Sequence, residues 1–371
     1  MKEQPGCFHH YYKQIPSEGI PSEGIPSEGI PSEGYTFVKT MQNKIPGTMQ
    51  AVCLGEDDKL ISRSVPVPQP SKGEVLVKMS SAPVNPSDLT RIKHLSSSEK
   101  KLFIAGIEGS GTVVAHGKGL VPKIWMGRRV ACSTAHISSG TWAEYLVTNA
   151  MSCVPLPPGI NDEQGSMLIV NPMTAVAFMR IAKAGHHKAI INTAASGSLG
   201  RLIEVLARRH RITLIQVVKS EKQRESLLSA GAQYVINSSK DRFEVDIHSA
   251  AKKLNARLAF DAVGGEMTRR LLMAMPFGST VIVYGNLSAE QPLIDHRSLV
   301  SDNKKVKGFY LVNWLNENGI LNTLTSILEA RKLLNGNISV PVQARFKLDS
   351  AQLAVDTYLA NMTGGKVILV P

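Results

Sequence analysis

Six residues, Ala195-Ser196-Gly197-Ser198-Leu199-Gly200, separate the apolar run AIINTA from the amphipathic run RLIEVLARRH. A glycine-punctuated turn between an apolar strand and a helix admits few folds. The pattern is Gly-x-Gly-x-x-Gly with Ala in the first place. Its physics asks for a tight turn, an approach of backbone to phosphate unobstructed by a side chain at Gly197, and close helix–strand packing at Gly200. The helix N-terminus then faces an anion. Ala fits the first place provided its φ stays negative. Set between a strand and a helix, the six residues read as a dinucleotide cradle, with an ordinary structural turn as the alternative.

The surrounding chain supports the first reading. From Asn171 onward, helical and strand periods alternate: NPMTAVAFMRIAKA, AIINTA, GRLIEVLARRH, ITLIQVV, EKQRESLLSAG and YVIN. LAFDAV and TVIVYG follow as strands flanking a helix-compatible EMTRRLLMAM, and TLTSILEARKLL and KVILV close the chain as helix and strand. Alternation of this kind predicts an α/β fold, a doubly wound parallel sheet with helices on both faces. Residues Met49 to about Val154 have a different texture, short strands between Gly and Pro such as EVLVKM, GSGTVVAHG and RRVACST, which predicts a β-rich domain.

An NAD site would place Asp or Glu at the end of the strand after the loop, to accept hydrogen bonds from ribose hydroxyls. Here ITLIQVV ends in Lys219-Ser220, with Arg224 one turn into the next helix. A cation and a hydroxyl suit a 2′-phosphate, so NADPH is the expected cofactor. For Arg224 a solvated helix face is an equal alternative.

Ile15 to Gly34 is IPSEG repeated four times. A Pro and a Gly in every five residues break helix and strand ladders, and one Ile per unit cannot offset the entropy of ordering the rest. Residues 1–48 are therefore expected to be a disordered tail, either a linker or a docking arm for a protein partner. Four Lys and five Glu fall in it, so of 42 basic and 30 acidic residues the body from Met49 carries 38 and 25, a net +13. That excess favours a polyanionic partner: a phosphorylated cofactor, an acyl-CoA, an anionic membrane surface or nucleic acid, the last being the least expected. With 43% hydrophobic and 19% charged residues the chain is neither disordered overall nor membrane-spanning in composition. Cys7, Cys53, Cys132 and Cys153 never reach a CxxC spacing, which argues against a disulfide framework or closed zinc site. No leader is legible in MKEQPGCFHHYYKQ. The expected compartment is the cytoplasm, with the mitochondrion as alternative.

The ordered motifs Val84-Asn85-Pro86-Ser87-Asp88, Gly106-Ile107-Glu108-Gly109-Ser110-Gly111, Gly140-Thr141-Trp142-Ala143-Glu144-Tyr145, Asn171-Pro172-Met173-Thr174-Ala175, Asp261-Ala262-Val263-Gly264-Gly265 and Gly365-Lys366-Val367 resemble the zinc-independent medium-chain dehydrogenase/reductases. Quinone oxidoreductases and 2-enoyl thioester reductases are the members closest in pattern. The resemblance covers Met49 to Pro371. It implies a GroES-like catalytic domain from two pieces (49–170 and 311–371), a Rossmann NADP(H) domain between them (171–310), and a homodimer through the Rossmann sheet edge. It also implies a zinc-free hydride transfer to a quinone or an α,β-unsaturated carbonyl, with an enoyl thioester as a further acceptor.

By the same resemblance, Asn85 and Thr174 are the polar catalytic candidates, Tyr284, Gly285 and Asn286 border the nicotinamide, and Phe309 and Trp314 wall the substrate pocket. Zinc-dependent members carry Cys near the position of Asn85 and His at that of Ile107; neither is present, so no metal is expected. The Tyr proton donor of the mitochondrial-type enoyl reductases is absent too, since no Tyr lies between Leu89 and Glu108; Lys93 or His94 could substitute, though a solvated loop residue is the readier reading of either. The competing expectation is a nucleotide-binding or structural subunit with weakened catalysis.

Overall fold

In a computed structural model, the described residues are 45–55, 57–134, 138–335 and 340–371. The expected tail falls almost wholly outside them, and its inner limit moves, because Thr48 already pairs with Pro66.

Seven strands arise from the β-rich texture: β1 (Thr48–Leu54), β2 (Leu60–Pro66), β3 (Glu74–Pro83), β4 (Glu108–His116), β5 (Arg129–Ser133), β6 (Tyr145–Asn149) and β7 (Cys153–Pro155). β1 and β2 pair antiparallel, and β3, β4, β5 and β7 form a continuous antiparallel run with β6 also on β3. Val75, Leu76 and Val77 are all fully buried, so β3 is covered on both faces.

Six more strands form the parallel sheet: β8 (Ala189–Asn192), β9 (Thr213–Val218), β10 (Tyr234–Asn237), β11 (Leu258–Asp261), β12 (Thr280–Val283) and β13 (Lys305–Gly308). Their order is β10-β9-β8-β11-β12-β13. The winding reverses between β8 and β11, and in open parallel sheets ligands bind outside the carboxyl ends of the strands at such a reversal. Because side chains alternate along a strand, Ile190 and Phe260 pack under the helices Val170–Ala184, Ser198–Arg209 and Leu311–Asn335. Ile191 and Ala259 pack under Phe243–Leu254 and Gly265–Ala274 on the opposite face.

The chain then returns to the antiparallel sheet. β14 (Val342–Lys347) runs parallel to β15 (Lys366–Val370), and β15 pairs with β3 through Ile368↔Pro83 and Leu369↔Ala82. Packing puts this return later than residue 311. Ala330 and Leu333 belong to the core that contains Ile190 and Phe260, so the segment Leu311–Asn335 lies with the parallel sheet. It is two helices broken at Gly319, whose φ of 72° and ψ of 171° no helix accommodates.

Phe178 is the centre of this core. Its ring stacks on Phe260 at 4.0 Å and meets Tyr284 and Phe309 edge-on at 4.8 and 4.9 Å. Phe178→Ala is expected to destabilise the protein by about 3–5 kcal/mol, since a fully buried ring with three aromatic neighbours leaves a cavity they cannot close. Denaturant unfolding checks this value.

Candidate cofactor and substrate site

Strand β8 is buried at all four positions and delivers the chain to the glycine loop. Thr193 follows; its hydroxyl donates to Asp261 Oδ1 and accepts the Ala262 N–H, both at 2.8 Å. Asp261 also accepts from the Val263 and Gly264 amides and from the Thr268 hydroxyl. Burial pushes its carboxyl above the usual range, and these donors oppose that shift. The carboxyl ends of β8 and β11 are thereby tied together where the sheet winding reverses. Nothing in the spacing of Thr193 and Asp261 signalled that pairing.

Within the loop the left-handed residue is Ala194, with φ 50°, and Ala195 is not among the positive-φ residues. Ala is thus accommodated in the first glycine place. The two glycines differ in what constrains them. A Cβ on Gly200 would lie 2.1 Å from the Ala195 carbonyl oxygen, so helix and loop touch backbone to backbone there. A Cβ on Gly197 would meet only the Ala194 oxygen, at 3.3 Å. The protein leaves open the space in front of Gly197, which caps the helix Ser198–Arg209. The cradle fits a pyrophosphate: a helix N-terminus with no side chain in front of Gly197. Ser196 and Ser198 are half-buried beside it, and Leu199 turns back into the core.

At the end of β9, Lys219 is exposed, and its side chain makes no ion pair among the described residues. Ser220 caps the next helix by accepting the Gln223 N–H. The Arg224 guanidinium pairs with Glu221 at 2.7 Å and donates to the Val235 carbonyl at 3.2 Å, so a phosphate would share it with these partners. The sequence could show that Arg224 lies one turn in, but not that Glu221 would engage it.

Thr174 Oγ1 donates to the Val170 carbonyl of its own helix at 2.7 Å. Tyr284 and Phe309, both half-buried, pack edge-on against Phe178, and Trp314 is 9% exposed. A Cβ on Gly285 would lie 2.7 Å from the Ala262 oxygen, and Asn286 is exposed at the same crossing.

Asn85 stands at the centre of a buried polar cluster that the sequence did not disclose. Its Nδ2 donates to Glu108 Oε1 at 2.9 Å, its Oδ1 accepts from Lys366 Nζ, and its backbone N–H donates to Asp88 Oδ2 at 2.8 Å. Glu108 Oε2 in turn accepts the amides of Ile169 and Val170, at 3.2 and 2.8 Å, capping the helix that carries Thr174. Asn85 is 1% exposed with both amide atoms in use, which makes it a bridging group in this structure rather than an open donor. Burial lowers the pKa of Lys366 and raises that of Glu108. It raises the Asp88 carboxyl to about 7, with the Glu108 charge adding to the effect and Lys366 and Arg91 opposing it. The one available signal was a charged residue inside each of two otherwise uncharged runs, Glu108 in IEGSG and Lys366 in GKVILV.

Two measurements follow from these contacts. Gly200→Ala is expected to lower stability by about 1–3 kcal/mol, through enforced backbone displacement. Gly197→Ala is expected to change it by less than about 0.5 kcal/mol. Thermal melts of the two variants separate a packing glycine from one reserved for a ligand. For Asp88, the folded-state pKa lies above the unfolded value, so the folded form binds more protons between about pH 4 and 7. Its contribution to stability is lost as pH rises across that window. The Tm of Asp88→Asn minus that of the unmodified protein should therefore increase from about pH 4 to 7 and level off above, as melts across pH would show.

Comparisons with known proteins agree with this architecture. The alcohol dehydrogenase GroES-like domain matches residues 71–158, and the domain described as zinc-binding dehydrogenase matches residues 199–326. A solved structure from Mesorhizobium loti, described as an NADPH:quinone reductase, is 32% identical with a TM-score of 0.79, covering 88% of this chain and 99% of that one. The human mitochondrial enoyl-[acyl-carrier-protein] reductase is 28% identical over 308 residues, 80% of each chain. Bovine prostaglandin reductase-3 is 27% identical over 328 residues, 84% of this chain and 85% of its own. With a GroES-like antiparallel sheet, a six-stranded Rossmann sheet and relatives of these kinds, the chain belongs to the medium-chain dehydrogenase/reductase superfamily of oxidoreductases, and within it resembles the quinone oxidoreductases and enoyl reductases.

Proposed function

We propose that this protein is a zinc-independent NADPH-dependent reductase whose acceptor is a quinone or an α,β-unsaturated carbonyl. The observation that carries the proposal is the contrast between Gly200, filled by protein, and Gly197, open at a helix N-terminus above the sheet reversal. Lys219, exposed where an NAD site would present a carboxylate, favours a 2′-phosphate. The NADPH:quinone reductase and enoyl reductase names of its relatives point the same way.

Zinc independence has its own support. In place of a thiolate ligand stands Asn85, with the ammonium of Lys366 fixed against it. A buried cation at hydrogen-bond range repels a second cation, and it already holds the one Asn85 atom, Oδ1, that could serve as a metal ligand.

When bound, the nicotinamide supplies the hydride. The chain's tasks are to fix the pyrophosphate at Gly197 and the helix amides, orient the ring, and exclude water. Hydride addition to a conjugated acceptor leaves an enolate, which hydrogen-bond donors stabilise until it is protonated. No Tyr follows the Asn-Pro-Ser-Asp segment before Glu108, which favours quinones and general enones, whose products take their proton from solvent. Among the described residues β13 leaves one edge of the parallel sheet unpaired, with Lys305, Lys307 and Gly308 exposed, and it is the edge through which a homodimer would form. Among the described residues no helix is long and apolar enough to cross a membrane. A cytoplasmic or mitochondrial setting accords with the proposal.

The test is cofactor oxidation with a panel of quinones and enones. NADPH should be turned over at least about 10-fold more efficiently than NADH, and Lys219→Asp should erase most of that preference. Preference for NADH in the unmodified protein overturns the role of Lys219. Cofactor binding without turnover of any acceptor replaces the reductase by a nucleotide-binding subunit.

A further inference from the structure

The positive charge that the cofactor site leaves unused is gathered by the topology. In a sheet of parallel strands joined by helices, every helix-to-strand turn falls at the amino ends of the strands, opposite the glycine loop. Three of these turns are cationic: Lys183-Ala184-Gly185-His186-His187-Lys188 before β8, Arg208-Arg209-His210-Arg211 before β9, and Lys252-Lys253-Leu254-Asn255-Ala256-Arg257 before β11. Far apart in sequence, they serve neighbouring strands of the sheet. Lys183 Nζ lies 3.0 Å from His210 Nδ1, and β8 and β9 pair from Ala189↔Thr213. All eight lysines and arginines of these turns are exposed.

The carboxylates near them are already engaged, Glu204 with Arg208 and Glu329 with His210 and Arg180. Lys188, Arg209 and Arg211 form no ion pair among the described residues. Cations in a last helical turn complement the helix dipole and need no partner. That explanation does not reach Lys188, Arg211 and Arg257, which lie beyond the helices at the strand starts. Arg211 and His186 moreover hold φ values of 56° and 54°, the left-handed conformation that glycine adopts without strain.

The next turn brings apolar groups to the same end. Phe277 and Met273, before β12, are 60% and 51% exposed. They adjoin the cationic turns, since the Thr280 N–H donates to the Arg257 carbonyl and a Cβ on Gly278 would lie 3.8 Å from Arg257 Nη1. We propose that this end of the parallel sheet docks on an anionic lipid bilayer, its cations against the headgroups and Phe277 and Met273 at the acyl boundary. Cations flank the sheet from helices on both faces, which makes a two-dimensional field rather than the groove that tracks a nucleic-acid strand. Docking here leaves the glycine loop, at the opposite end, open to its ligand.

The test is co-sedimentation of the full chain with vesicles of phosphatidylcholine alone or mixed with phosphatidylserine. Binding should need phosphatidylserine and weaken with salt. Lys188→Glu/Arg211→Glu/Arg257→Glu should lower partitioning by about 100-fold or more, and Phe277→Ser by several-fold. The single variant Arg211→Gln should lower it about 5-fold, which keeps the test decisive if the triple variant misfolds. NADPH affinity of the folded variants should be unchanged. Equal partitioning onto both vesicle types, or retention of binding by the triple variant, overturns the proposal. So does tighter binding to single-stranded RNA than to vesicles, with Phe277→Ser indifferent.

Discussion

Lys366 is buried with its ammonium against Asn85, and near it lie Glu108 and Asp88, both also buried. A lone charge in that position costs several kcal/mol, so these residues have to stay together. They come from β15, from the loop after β3 and the helix Pro86–Lys93 that follows it, and from β4, regions up to 281 residues apart in sequence. Glu108 then reaches the first amides of the helix Val170–Ala184, which packs on the parallel sheet. One cluster of polar groups thus fixes the C-terminal strand in the antiparallel sheet and joins that sheet to the helix leading into the nucleotide fold. Any site that uses groups from both sheets inherits its geometry from this cluster.

A second tie, Thr193 to Asp261, works at the sheet reversal. It closes the carboxyl ends of β8 and β11 beneath the glycine loop with buried, fully partnered groups. Rigidity below and open space above Gly197 are what a ligand approached by backbone amides requires. The aromatic cluster around Phe178 adds stiffness from one face of the sheet.

Periodicity and turn residues announced the alternating part of the chain because each of its elements is nearly self-sufficient: a buried parallel strand is a short apolar run, and an amphipathic helix shows its stripe. The short pieces escaped for the converse reason. The helix Pro86–Lys93 has polar residues at most positions and owes its start to the Asn85–Asp88 capping box, while β13, reading KVKG, takes its strand form from pairing with β12. The site was legible where a residue's role is set by its own backbone, as at Gly197 and Gly200. It was not legible where the role depends on who arrives as a neighbour. Only the fold reveals Glu221 and Val235 as partners of Arg224, and Phe178 as the ring against which Phe309 packs.

The sequence by itself determined the fold class, the place of the glycine cradle and the sign of the charge beside it, because these follow from local periodicity, backbone freedom and residue type. Tertiary structure alone decided which polar groups are spent. It committed Asn85 to Glu108 and Lys366, carried residues 311–335 to the parallel sheet, and brought three distant basic turns to one end of that sheet. Hydrogen bonding and burial are pairwise and long-range, and a partner far away in the chain is visible only once the strands have been ordered.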